Sequence, residues 1–277
     1  MEAVMLDKCE SQVRPRPKTL RALGMSEPPL VVTVDDCMFE RVCVFKHDSW
    51  AATAHYASES GRQLVCKFNR TESIGPIPMR WLGRFLAHRE HDFLHQLRDV
   101  EGIPKVYRNV IALGKTESHA VAHDFVVGNP LSLCDDLPLG FFDRVEALLA
   151  ELHGRRIAYV DLHKQENVLV GDDGLPYLID FQVSIQCSRG ILGRLLMSTL
   201  RDLDLFNVSK HRRIHCQSSS SSPECKRPWW LNVHRAFAVP FRTLRRNLLV
   251  LLRVRAGRGS SSTEVMPEIG LRRVEAV

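Results

Sequence analysis

The chain has 277 residues, 44% hydrophobic and 25% charged, with a formal net charge of +6. At about 150 residues per domain this makes one large domain or a two-lobed one, and the composition excludes a disordered, collagen-like or fibrous protein. The longest aliphatic run, residues 248–252, falls far short of the about 20 apolar residues of a membrane span, and the first twenty residues lack the apolar stretch of a signal peptide. These features lead to the expectation of a cytoplasmic protein. The charge is uneven: residues 189–277 carry 17 Lys/Arg and 6 Asp/Glu, whereas residues 1–188 carry 21 and 26. A basic final third suits an anionic partner or a solvated Arg-rich surface. The eight cysteines include no CxxC pair and read as reduced thiols.

In chain order, residues 1–27 read as a disordered lead-in with Pro15 and Pro17. From Leu30 the pattern is strand-like: LVVTVDD, ERVCVFKHD, AATAHYA and RQLVCKF, the last two joined by a SESG hairpin turn. A Gly/Pro loop follows, then helical spacing from Trp81 to Val100 through Leu82, Phe85, Leu86, Phe93, Leu94 and Leu97. VYRNVIAL and HAVAHDFVV read as two more strands. A second region begins near Gly128. GFFDRVEALLAELHG forms an amphipathic helix stopped at Gly154. IAYVDL, NVLVGDDG and PYLIDFQVS are short apolar runs, with a hairpin signal in DDG. The chain beyond Ile191 reads as helical and basic, and 218–223 as a low-complexity loop. His211, His215, Cys216 and Cys225 come nearest to a metal cluster, but read as part of a polar, basic segment.

The chemistry lies in AYVDLHKQENVLVGDDGLPYLIDFQVS, residues 158–184. It offers Asp161, then Asn167, then a hairpin, then Asp180-Phe181. Phosphoryl transfer uses these residue types: a carboxylate that orients or deprotonates the attacking hydroxyl, and an amide oxygen and a second carboxylate that hold magnesium. Upstream, Lys67 ends the apolar strand VCKF, and Glu90 shares the apolar stripe of the inserted helix with Leu86, Leu94 and Leu97. A carboxylate on that face needs a partner.

With these residues the sequence resembles the protein-kinase-like superfamily over roughly residues 40–210, and within it the small bacterial lipopolysaccharide-core (Kdo/heptose) sugar kinases and RIO-type serine/threonine kinases. The resemblance implies an α+β, two-lobed protein-kinase-like fold, with an antiparallel sheet and one helix in an N-lobe at 28–127 and a mainly helical C-lobe at 128–277 that carries a basic extension. It also implies ATP and Mg2+. Asp161 then serves the acceptor hydroxyl, with Lys164 near the γ-phosphate and His163 orienting the loop. Asn167 and Asp180 hold the metal. Lys67, held by Glu90, clamps the phosphates, and Asp124 and Val126 belong to the hinge that meets adenine. The sequence also departs from the pattern. No G-x-G-x-x-G precedes Lys67, and the corresponding hairpin is KHDSWAATAHY, 46–56. Asp161 and Asn167 are six apart where H-R-D-x-x-x-x-N gives five, Tyr159-Val160 replaces His-Arg, and Gln182 replaces the glycine of D-F-G. No long activation segment follows.

The expected activity is transfer of the ATP γ-phosphate to a hydroxyl of a protein Ser/Thr or of an envelope glycolipid sugar. The alternative is a catalytically weak pseudokinase that binds nucleotide or a partner. The stretch from Arg227 to Gly259, with Trp229, Trp230, Phe237 and Phe241, suits either a helix that completes the C-lobe or a basic amphipathic contact with an anionic membrane surface, which would make the protein peripheral at the inner face of the membrane. Nucleic acid is not an expected partner, because no recognition fold is evident.

Overall fold

A computed structural model describes residues 18–216. The first lobe is an eight-stranded antiparallel sheet. In chain order its strands are β1 (Val31–Val34), β2 (Cys37–His47), β3 (Ala51–Ala57), β4 (Gln63–Asn69), β5 (Val106–Tyr107), β6 (Ile111–Ala112), β7 (Lys115–Thr116) and β8 (Ala120–Asp124). They lie in the order β5-β8-β4-β3-β2-β1-β6-β7. The period-2 alternation of a strand sends Leu64, Cys66 and Phe68 of β4 into one core with Ala52, Ala54, Tyr56, Val32 and Phe39. Val65 and Lys67 take the opposite face.

VYRNVIAL, expected as one strand, is two. Val106–Tyr107 pair with β8 at one edge, while Ile111 pairs with β1 near the other. Asn109 between them adopts φ +56, a conformation that Asn tolerates. This switch brings the two edges of the sheet together, and Tyr107 and Ala112 belong to the same core. The SESG turn is a hairpin between β3 and β4, with Gly61 at φ +81. Within residues 18–27, expected as the end of a loose lead-in, Arg21, Ala22 and Gly24 are buried. Ala22 is fully buried and its amide donates to Asp48 O (2.7 Å). Buried Arg70 donates to Ser49 O (2.6 Å), Thr19 O (2.9 Å) and Ser73 O (3.2 Å), so it needs this segment for its hydrogen bonds.

Helix α1 (Arg80–Gln96) packs against β4 and β8. It ends four residues earlier than the apolar spacing suggested, capped by Leu97 N on Phe93 O. Gly83 lets it approach closely, since a Cβ there would lie 2.2 Å from Arg70 O. The C-terminal end of α1 enters the second lobe, where Phe93, Leu94 and Leu97 share a core with Phe141, Val145, Leu149, Leu152, Tyr159 and Phe181.

That lobe contains α2 (Phe141–Gly154), the strands β9 (Gly128–Pro130), β11 (Val168–Gly171) and β12 (Pro176–Leu178), the small pair β10 (Ile157–Ala158) and β13 (Ile185–Gln186), and α3 (Ile191–His215). The periodicity of α2 is borne out by its buried Phe141, Phe142, Val145, Leu148, Leu149 and Leu152, each contributing about 1.5–3 kcal/mol. The helix ends at Gly154, as expected from the sequence. The left-handed residue is Arg156 (φ +63), whose guanidinium donates to Cys187 O (3.1 Å) and to Ser188 O. The DDG turn joins β11 to β12 with Gly174 at φ +77. This is the α+β, two-lobed architecture expected from the sequence, with the chain crossing between the sheets at residues 125–127. Among the described residues no helix is long and apolar enough to cross a membrane. The stretch from Arg227 to Gly259 lies outside the described residues.

Candidate active site

Lys67 is buried on β4, and its Nζ reaches both lobes. It lies 3.3 Å from each oxygen of Glu90, with Oε1 in hydrogen-bonding geometry, and 2.8 Å from Asp180 Oδ1. Glu90 is fully buried on α1, as its position on the apolar stripe requires. Its burial pushes its pKa up to about 7 against the pull of Lys67. Asp180 behaves oppositely. Burial would raise it, but Lys67, with Lys164 and Lys46 behind it, holds it below the usual carboxylate range. One ammonium thus faces two carboxyl groups, one pushed up and one held down.

Asp161 is the second centre. Val160, a β-branched residue, adopts φ +70, and Asp161 N donates to Tyr159 O (2.9 Å). This tight turn is strained for valine. Asp204, fully buried on α3, holds it by accepting Tyr159 N (3.0 Å), Val160 N (2.9 Å) and His153 Nε2 (3.0 Å). The turn presents Asp161 to Lys164 Nζ (2.7 Å), His163 Nδ1 (3.2 Å) and Asn167 Nδ2 (2.8 Å). With its nitrogen on Asp161, Asn167 keeps its amide oxygen for another partner. The extra residue between Asp161 and Asn167 is absorbed by two successive turns, Lys164 N to Asp161 O and Asn167 N to Lys164 O (both 3.3 Å). Asp180 itself has φ +63. The preceding segment is fixed by Tyr159 Oη, which donates to Ile179 O.

The hairpin of 46–56 needs no glycine. Asp48 Oδ1 accepts Trp50 N (2.7 Å) and Ala51 N (3.0 Å), closing a turn of the Asx type. Ser49 Oγ donates to Leu20 O, and Arg70 donates to Ser49 O, which fastens the turn at both points. At the crossover, Asp124 turns its carboxylate to Tyr107 Oη, and its carbonyl lies 2.8 Å from His123 Nδ1. Val126 is half-buried. Beside it Phe125 stacks on His55 (4.3 Å between ring centroids), and Phe45 stacks on His55 at 5.8 Å. Val65, two residues before Lys67, belongs to the same cluster.

Lys67, Glu90 and Asp180 are therefore gathered into one cluster, and Asp161, Lys164 and Asn167 into another. Asp204, Arg89 and Asn69 were missed. Asp204 had one sequence signal, a carboxylate on the stripe Leu200, Asn207, Val208 and His211 of α3. His211 binds the loop, its Nε2 lying 2.7 Å from Leu162 O, and Cys225 of the same group lies outside the described residues. Among the described residues no group of three or more His, Cys, Asp or Glu is placed to hold a metal ion. The amide oxygen of Asn167 and the carboxylate of Asp180 are hard oxygen donors of the kind that magnesium takes.

No family model matches the chain, and no curated protein does. Among solved structures, the chain is similar to the Rio2 kinase from Chaetomium thermophilum in its ADP/Mg2+-phosphoaspartate complex, with a TM-score of 0.48 and 18% identity over 63% of this chain and 55% of that one. A second structure of the Rio2 kinase from Chaetomium thermophilum is similar with a TM-score of 0.48 and 16% identity over 75% of this chain and 61% of that one. The chain thus spans somewhat over half the length of the solved structures it resembles.

Proposed function

We propose that the protein is an ATP-dependent phosphotransferase that moves the γ-phosphate to a hydroxyl acceptor. The observation that carries this reading is Lys67 Nζ, held between Glu90 on α1 and Asp180 at the start of its loop. An ammonium so fixed is a phosphate clamp. Asp161 lies on a strained, well-supported turn, with Lys164 beside it to offset phosphate charge. It orients the acceptor hydroxyl and takes up its proton at a carboxylate oxygen. Asn167 and Asp180 would hold Mg2+, which when bound neutralises charge on the nucleotide phosphates. Asp124 and Val126 lie at the crossover, where a base would meet the backbone. The acceptor is a protein Ser/Thr or the sugar of an envelope glycolipid. The basic final third of the sequence favours an acceptor that is anionic or lies at a membrane.

One observation favours the second reading, a weak enzyme that binds nucleotide or a partner. The turn at 48–50, which would cover the phosphates, carries no glycine and is fastened to Leu20 and Arg70. Thermal unfolding with ATP and Mg2+ tests the leading reading. A ligand at about 100 times its dissociation constant stabilises by roughly 2.7 kcal/mol. We expect a metal-dependent rise in Tm for the wild type that is lost in Asp180→Asn. A wild type that does not respond overturns the reading.

A further inference from the structure

We infer that Gln182 is a latch that fastens the Asp180 loop to the sheet lobe, doing by its side chain what an activation segment would otherwise do. Its use in metal binding rests on the phosphotransferase reading; its existence does not. Gln182 Nε2 donates to Asn69 Oδ1 at 2.5 Å. Asn69 is fully buried, two residues beyond Lys67 on β4, and its own amide nitrogen donates to His119 O (3.2 Å). That second bond fixes which way the Asn69 amide points, so its oxygen faces Gln182. From α1, Arg89 Nε donates to Gln182 O (2.7 Å) and its Nη2 to Ser184 O, with the guanidinium lying over the Phe93 ring.

Residues 180, 182 and 184 are therefore tied in turn to Lys67, to Asn69 with Arg89, and to Arg89. A glycine at 182 would supply only the backbone half of this set. Residues 185–188 are held separately by the pairing of β13 with β10 and by Arg156, so the bonds to β4 and α1 are what fastens residues 180–184. Gln182 acts through Asp180 and is a positioning residue.

Amide hydrogen exchange on the free full-length protein decides whether the latch exists. Gln182→Met keeps the volume and removes the donor. Asn69→Ala removes the acceptor, and the double variant completes a cycle. Amides in 180–187 should exchange roughly tenfold faster in each single variant, the effect of losing one ordinary hydrogen bond. The double variant should be no faster than Asn69→Ala, because that variant already lacks the Gln182 bond as well as its own bond to His119 O. Exchange in β11 and β12 should be unchanged. Unaltered exchange of 180–187 in Gln182→Met, or additive effects, overturns the latch.

A Mn2+ titration in the presence of ADP decides its use. Gln182→Met should weaken Mn2+ binding several-fold and leave metal-free ADP binding unchanged. Equal Mn2+ affinity in a wild type and a variant that both bind it overturns the positioning role. A wild type that binds neither ADP nor Mn2+ overturns the phosphotransferase reading, while the exchange result still stands on its own.

Discussion

Glu90 and Asp204 are both 0% exposed, and their surroundings are opposite in kind. Asp204 accepts from two backbone amides and His153, donors fixed by the turn at Val160 and by α2. Glu90 shares one ammonium with Asp180, and its Oε2 has no hydrogen bond. A buried charge surrounded by rigid donors stabilises a local geometry. A buried charge that shares its partner leaves the site with a field that a ligand can complete. The comparison separates the residue that builds the loop from the residues that use it.

The contrast is broken most severely at Asp204. Replacing it by Ala leaves two amides and a strained Val160 turn without support. The expected loss is about 3–5 kcal/mol, the usual range for removing one member of a buried charged set. A urea unfolding midpoint measures it. If Asp204→Ala costs less than Lys67→Met, the contrast fails.

Lys67→Met comes next. It leaves Glu90 and Asp180 without their ammonium, but Glu90 already titrates near 7 and can take a proton. That escape limits the expected loss at pH 7 to about 1–3 kcal/mol. Chemical unfolding at pH 5 should show a smaller loss than at pH 8, because Glu90 is protonated at the lower pH.

Glu90→Gln gives the smallest effect and the sharpest sign. The folded protein holds the Glu90 proton more tightly than the unfolded chain, whose carboxyl titrates near 4.5. Ionising Glu90 therefore costs the wild type stability as pH rises from 4.5 to about 7. Glu90→Gln lacks this slope, so the stability difference between the two proteins should move in the variant's favour across that window. A shift of this size sets an upper bound of a few kcal/mol, at about 1.4 kcal/mol per pH unit. Parallel stability curves for the two proteins would sink the assignment.

Much of this cluster was legible in the sequence. Asp161, Asn167 and Asp180 stand in order within one short stretch, Lys67 closes an apolar strand, and helical spacing puts Glu90 on a buried face. The supporting contacts were not legible. Asp204 binds backbone amides more than forty positions away, and backbone partners leave no trace in residue identity. Arg89 likewise gives its hydrogen bonds to carbonyls of the Asp180 loop. The missing glycines looked like a defect because the sequence does not reveal that the Asp48 carboxylate closes the turn. The split of VYRNVIAL was hidden because one Asn at positive φ, with apolar residues on both sides, reads the same as a continuous strand.

Arg70 has a practical consequence for shortening the chain. Its guanidinium donates to the carbonyls of Thr19, Ser49 and Ser73. A version cut just before β1 would keep every strand and every residue of the candidate site. It would also remove Thr19, Leu20 and Ala22 and leave a cation facing an open hole beside the turn at 48–50. A shortened version therefore has to keep the residues from Lys18 onward, rather than begin at the first strand that a secondary-structure map would suggest.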